Sequence, residues 1–587
     1  MRVLVIHPED ELQDEPWARM QWDRVIDLGR AAAQSYAQAA AKYGCPVTDL
    51  GEFRENFKEM RRVRELLALG TGRLNDRFGL DWWELTSIEV HQQLEIAFLL
   101  REVAESLGPL DEVHVSRPCF QADVLRLALG PRLHTFSARS DRRKGGVRHY
   151  LQVMKKFPVG QLLEIFWDKT DSGYQIRGSF TSRRKPLSGA VVLLPSAYIN
   201  VSRTAIAYAE SLPEVRFLLV ITRRSGSIKS VPANVSVAWL CRYASLQVPS
   251  RKLEYRDLMQ RWDLLRSELK AIPEFRTLAE LGYLDGFPDW FARGLEIRDA
   301  WRNVLDSEPV QAVICADDSN SQTHMPLLLA KQRGLPTIAC HHGALDGRYM
   351  FKRNHAGVLL VKGRMEQDYL LRLCGIPAEG VEIGAPALPA DLKQHVGSER
   401  SSIVFFSEAY EVAGGRGRDF YQEILPLLAD LALSEKKELI IKLHPSESFA
   451  ERNRFVEQIL NPEQLRITRV VGGPLQAELL DRAWFGVTVM STVVVECTLQ
   501  GIPCFFCAWL ESWPYGYVDQ FTRFGVGIRL DQPGEIKLIP ETLRTYVADG
   551  AMRANCWSPI EERRLQALLG MGSRLSATDT AITKNSR

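Results

Sequence analysis

The stretch Glu438–Ser448, ELIIKLHPSES, decides how this chain is read. An apolar run, Leu439 to Ile441, passes directly into Lys442, His444 and Pro445. The pattern returns in Phe485–Phe506, FGVTVMSTVVVECTLQGIPCFF, where Ser491 and Thr492 close a second apolar run and Glu496 follows about one helical turn later. Short continuous apolar runs bounded by turn residues mark parallel strands buried on both faces. Side chains delivered just past the C-terminal ends of such strands line the ligand edge of an open α/β sheet. Pro445 stops its strand, and Lys442 and His444, two residues apart, are expected on one face, where they could meet a phosphate. Hydroxyls at the start of the helix that follows Thr492 suit a phosphate oxygen. Glu496 is placed to accept from ribose hydroxyls or to sit on the helix dipole. The plainer alternatives are a solvated strand end and an ordinary helix cap.

Working outward, strand SIVFFSEA (402–409), a helix at 419–433, a helix at 448–459, ITRVVG and IPCFFC extend the same alternation. Between the first strand and its helix lies Gly414-Gly415-Arg416-Gly417-Arg418. A glycine-rich loop with arginines can cradle phosphates, which makes Gly415 and Arg416 candidates, although neither P-loop nor G-x-G-x-x-G spacing is present. Upstream, AVVLLP (190–195), VRFLLVIT (215–222), VQAVICADDSN (310–320), PTIACHHG (336–343), GVLLVKG (357–363) and VEIGAPA (381–387) alternate with helical stretches. Such alternation predicts doubly wound parallel sheets. The expected architecture is two Rossmann-like lobes with a cleft between them. Residues 187–395 would form the acceptor-side lobe and 396–570 the donor-binding lobe, parted within ADLKQHVGSERS (390–401). An extra N-terminal α/β region (1–138) opens with strand MRVLVI, a basic connector spans 139–186, and 571–587 reads as a disordered tail.

Two further strand ends carry chemistry. His341-His342-Gly343 closes one apolar run, and an imidazole there is a natural general base for a hydroxyl nucleophile. Asp317-Asp318 closes another; adjacent carboxylates raise one another's pKa, which suits proton abstraction, and capping the next helix is the alternative use. No D-x-D occurs, so no metal site is expected.

The length of 587 residues implies two or three domains. A formal net charge of +2 speaks against a dedicated nucleic-acid binder. No apolar run reaches the length of a membrane span, and the N-terminal MRVLVIHPEDE lacks the apolar stretch of a signal peptide. Ten cysteines are scattered, and Cys504-x-x-Cys507 has no second pair at zinc spacing, so core thiols in a reduced cytoplasmic setting are expected. The basic connector reads as a solvated link, or else as a contact with a polyanionic acceptor or with the inner face of the plasma membrane.

With these residues in place, the chain resembles the GT-B transferases that build bacterial surface polymers, including capsule sialyl- and Kdo-transferases and CDP-glycerol glycerophosphotransferases. The matching pieces are His342-Gly343, GVEIGAPA (380–387), His444-Pro445 and Ser491-Thr492 with the downstream Glu496. The resemblance implies that His444, Ser491 and Thr492 hold the donor's phosphate. It implies that His342, Asp317 or Asp318 lies near the acceptor and that catalysis is metal-independent. The expected function is transfer of a sugar or polyol phosphate from a nucleotide-activated donor to a glycan or glycolipid hydroxyl, with CMP- or CDP-type donors favoured over UDP. The alternatives are a non-hydrolysing sugar-nucleotide 2-epimerase and a non-catalytic, nucleotide-sensing scaffold of a polysaccharide assembly complex.

Overall fold

The computed structural model describes residues 1–8, 10, 16–54, 58–136, 187–245, 249–388, 400–512, 515–547 and 550–571. The connector at 139–186 lies outside these residues, as do most of the 390–401 boundary and the tail after 571. The chain divides into two compact units, neither of them contiguous. The first comprises Met1–Arg61, Glu95–Ser140 and Leu388–Trp557; the second comprises Arg62–Leu94, Asp141–Ala387 and Ser558–Arg587.

The first unit holds two parallel sheets. The N-terminal one is built from β1 (Arg2–Ile6), β2 (Arg24–Asp27), β3 (Val47–Asp49), β4 (Glu112–Val115) and β5 (Leu133–Thr135), in the order β3-β2-β1-β4-β5. The second unit contains β6 (Val191–Ser196), β7 (Phe217–Ile221), β8 (Val235–Trp239), β9 (Val310–Cys315), β10 (Thr337–Ala339), β11 (Val358–Val361) and β12 (Val381–Ile383). Their order is β12-β11-β10-β9-β6-β7-β8. The other sheet of the first unit is β13 (Ser402–Phe406), β14 (Glu438–Lys442), β15 (Thr468–Val471), β16 (Ala483–Thr488), β17 (Cys504–Cys507) and β18 (Ile528–Leu530), ordered β15-β14-β13-β16-β17-β18. The seven- and six-stranded sheets form two Rossmann-like α/β lobes, consistent with a GT-B architecture.

Every residue of β6, β7 and β13 is buried, as strands covered by helices on both faces must be. In each sheet the chain winds outward one way from its first strand, then crosses back and winds the other way. The reversal falls between β1 and β4, between β6 and β9, and between β13 and β16. Ligands of open α/β sheets bind outside the strand ends at that reversal.

Strands β2, β3, β8 and β18 were not legible in the sequence. β2 is four residues with charged ends, and β3 and β18 have three residues each, too few to show a period. Between β3 and β4 the chain forms helices Lys58–Ala68, Trp82–Ser87 and His91–Glu105. The middle helix anchors in the second unit through Trp82 and Trp83. Trp83 stacks near Trp262 (6.4 Å) and Phe287 (5.9 Å), which lie 4.4 Å apart and almost coplanar. A Cβ on Gly294 would fall 2.2 Å from the Trp82 ring, so only glycine permits that approach. All ten cysteines are free. Cys504 and Cys507, three apart on β17, point to opposite faces of their sheet and cannot pair. Among the described residues no helix is long and apolar enough to cross a membrane.

Candidate functional site

In the second unit, the reversal between β6 and β9 gathers one polar cluster. Tyr198 lies two residues past β6 and Asp317 two past β9, and the Tyr198 hydroxyl donates to Asp317 Oδ2 at 2.6 Å. The same hydroxyl lies 3.1 Å from Nδ1 and 3.3 Å from Nε2 of His342, three residues past β10. The Ser319 backbone N–H donates to the other Asp317 oxygen at 2.9 Å. Lys362, directly after β11, donates its ammonium to the carbonyls of His341 and Gly343, which fixes the His-His-Gly turn. Burial is the main force lowering the His342 pKa, opposed by the Asp317 carboxylate, so a neutral imidazole faces that carboxylate at neutral pH. Burial, followed by the charge of Asp317, raises the Tyr198 pKa and keeps its proton in place.

The structure separates the two adjacent aspartates. Asp318 turns inward and accepts from Lys352 Nζ at 2.9 Å. Burial alone would raise its pKa, but the Lys352 ammonium and neighbouring His324 drive it down to about 2. The expectation that adjacency would raise it therefore fails at Asp318, because an ammonium in contact outweighs the neighbouring carboxylate. Asp318 is an internal counterion, whereas Asp317 belongs to the cluster with His342.

In the six-stranded sheet, β13 and β16 run in register from Ile403↔Phe485 to Phe406↔Thr488, so residues 407–408 emerge beside 489–492. Ser491 and Thr492 are half-buried there, and the Ser491 hydroxyl accepts from the Val493 N–H at 3.4 Å. Thr492 is the N-cap of helix Val493–Leu499 without a side-chain capping bond, and Glu496 sits half-buried one turn in. Beneath this loop lies Glu408, whose Oε1 accepts from the Thr488 hydroxyl (3.0 Å) and the Met490 N–H (2.9 Å).

His444 and Pro445 are exposed past the end of β14. The His444 N–H donates to Glu447 Oε2 at 2.7 Å, and its Nδ1 faces the Ser446 hydroxyl at 2.6 Å. Glu447 is held in turn by Ser407 (2.8 Å) and Arg452 (2.8 Å). Burial, with the Lys442 charge nearby, lowers the His444 pKa. Lys442 does not share the exposure of His444. Its ammonium is buried and donates to the carbonyls of Leu443 (2.7 Å) and Gly473 (2.6 Å), tying two loops together.

The glycine-rich loop also has an internal role. Arg416 donates from Nε to Asp27 Oδ2 at 2.8 Å, from Nη1 to the carbonyls of Pro8 (2.9 Å) and Asp10, and from Nη2 to the His7 carbonyl (2.9 Å) and Asp27. It thereby closes the strand-end edge of the N-terminal sheet, beside the reversal between β1 and β4. The Gly414 carbonyl and the Arg416 N–H bracket Arg30 at 2.7 and 2.8 Å. A Cβ on Gly415 would lie 2.9 Å from Phe420, so packing explains that glycine without a phosphate.

Sequence reading missed Tyr198, Lys362 and Glu408. Each follows an apolar run by one or two residues, the rule that drew attention to Lys442 and Asp317, and applying it to every strand would have found them. Burial raises Glu408 to a pKa of about 7, against the lowering effect of its hydrogen bonds. An unfolded glutamate near 4.5 releases its proton earlier, so this group's contribution to stability is full below that pH and is lost as pH rises through about 7. Glu408→Gln should therefore flatten the fall in melting temperature across roughly pH 5 to 8. Parallel wild-type and variant curves would refute the assignment.

No protein-family model matches the chain, and no curated protein matches it. Among solved structures, the chain is similar to UDP-GlcNAc 2-epimerase from Methanocaldococcus jannaschii, at 13% identity over 65% of this chain and 99% of that one, with a TM-score of 0.41. It is similar to Acinetobacter baumannii MurG at 11% identity over 65% of this chain and 99% of that one, TM-score 0.38. The wall teichoic acid polymerase TagF aligns at 11% identity over 76% of this chain and 100% of that one, TM-score 0.34. At such identities and TM-scores, none of them bears on the reaction.

Proposed function

We propose that the chain is a glycosyltransferase-type enzyme, moving a sugar or polyol phosphate from a nucleotide-activated donor to a hydroxyl of a glycan or glycolipid in surface-polysaccharide synthesis. The observation that carries this reading is the Tyr198–Asp317–His342 cluster at the reversal of the seven-stranded sheet. In sugar transfer, a neutral His342 takes the acceptor's hydroxyl proton as the acceptor oxygen bonds to the donor's reacting carbon and the bond from that carbon to the leaving phosphate oxygen breaks. Asp317, oriented by Tyr198, stabilises the imidazolium that results. In polyol phosphate transfer the acceptor oxygen instead attacks phosphorus, and a nucleotide phosphate leaves. On the six-stranded sheet, His444 and the hydroxyls of Ser491 and Thr492 are assigned to the donor's phosphate, with Pro445 fixing the turn. Glu496 is assigned to the ribose, and Asp318, Lys442, Gly415 and Arg416 to support of these edges.

The test is a thermal-shift panel of CMP, CDP, UDP and GDP on wild type and His444→Ala. A nucleotide at about 100 times its Kd adds about 2.7 kcal/mol to native stability. Stabilisation by one nucleotide, lost in the variant, is the expected result and names the donor class. A flat panel would remove the donor site and leave the scaffold reading. Incubation of the matching nucleotide sugar without acceptor then separates transfer from epimerisation, since only an epimerase converts the sugar under those conditions.

A further inference from the structure

We propose that Asp317, His341 and His342 form a binding site for a borderline divalent cation of the Zn²⁺, Co²⁺ and Ni²⁺ class. One ligand atom from each of the three residues lies within 4.8 Å of the others. One feature beyond this proximity points to a ligand. His341 is buried at 6% exposure, yet among the described residues neither of its ring nitrogens has a hydrogen-bond partner. A buried imidazole with both nitrogens unengaged is costly, and a coordinated ion removes that cost. His342 has the Tyr198 hydroxyl as its neighbour, 3.1 and 3.3 Å from its two ring nitrogens, so it would have to turn from that hydroxyl to coordinate.

The surroundings supply what an imidazole–carboxylate site needs. Asp346 stands 3.7 Å from His341 Nε2, the outer carboxylate that commonly orients a metal-bound histidine. Asp346 is fixed in turn by Arg348 Nε at 3.0 Å and by the Ser319 hydroxyl. Lys362, the nearest ammonium, is engaged with the carbonyls of His341 and Gly343. Two nitrogens and one oxygen favour zinc-like ions over Mg²⁺ or Ca²⁺, which prefer all-oxygen shells. Bonds of about 2.0–2.2 Å put tetrahedral ligands roughly 3.3–3.5 Å apart, so closure needs side-chain rotations of about an ångström. Three protein ligands leave a position open to water or a hydroxyl.

The inference shares Asp317 and His342 with the proposed general base. An ion held by all three residues would occupy the imidazole nitrogen that otherwise takes the acceptor's proton, and the two states exclude one another. The donor panel probes a different lobe, so failure of one is distinguishable from failure of the other. Chelator-treated full-length protein is dialysed against Zn²⁺ or Co²⁺, for wild type, His341→Ala and Asp317→Asn. The expected result is a single tightly bound equivalent in wild type, lost at least tenfold in affinity in each variant that still melts cooperatively. The visible absorption of Co²⁺ on wild type alone gives a second readout, because imidazole and carboxylate ligation lacks the intense ultraviolet charge-transfer band of thiolates. No uptake by wild type, unchanged uptake in a folded variant, or a thiolate band showing the ion on the cysteines would each overturn the site.

Discussion

His342→Ala is expected to cut turnover roughly 10²–10⁴-fold, the range for loss of a positioned general base. Binding of the donor nucleotide should be unchanged, because His444, Ser491 and Thr492 lie on another sheet. On the proposed mechanism Asp317 acts through the imidazole, so Asp317→Asn combined with His342→Ala should be no slower than His342→Ala alone. The neighbouring carboxylate gives the contrast. Asp318→Asn leaves the buried Lys352 ammonium without its counterion, and should lower stability by about 3–5 kcal/mol rather than act on the proton transfer. Steady-state rates beside melting curves for the three variants decide the matter. A His342→Ala protein with near-wild-type turnover would end the general-base assignment.

The second large effect is expected at Arg416. Arg416→Met removes the guanidinium that serves Asp27 and the carbonyls of His7, Pro8 and Asp10, and leaves the fully buried Asp27 side chain without its cation. Breaking one side of such a pair typically costs about 3–5 kcal/mol, whereas replacing both sides by apolar or neutral groups is far milder. Asp27→Asn with Arg416→Met should therefore recover much of the stability lost in Arg416→Met. Denaturation of the full-length chain, followed by protease protection of the N-terminal sheet, provides the measurement. If Arg416→Met melts like wild type and loses nucleotide binding instead, Arg416 returns to a phosphate role.

These two residues also show what the sequence could convey. Apart from β8 and β18, the strands of both lobes are legible because each is an apolar run, and a polar side chain placed just after such a run falls at the ligand edge whatever its partners. That logic located Asp317, His342, His444, Ser491 and Thr492. It could not indicate which way a side chain turns there. Asp317 and Asp318 are equivalent in the sequence, and only Lys352, far along the chain, draws one of them inward. Arg416 in a glycine-rich loop looks like a phosphate ligand, and its partners at His7 to Asp27 are 389 to 409 residues away in the chain. Long-range ionic partners leave no local pattern, whereas hydrophobic periodicity does.

The interleaving of the two units has a consequence for synthesis. Residues 1–61 and 95–140 belong to a unit that Leu388–Trp557 completes, so the N-terminal sheet leaves the ribosome long before its packing partner exists. At 5–20 residues per second, the delay from residue 140 to Arg416 is roughly 14–55 s. Throughout it the edge that Arg416 later closes stands open, with the Asp27 carboxylate awaiting its cation. A nascent chain arrested before that arginine is the species on which chaperones would act, and truncation at the apparent lobe boundary would trap the protein in the same unfinished state.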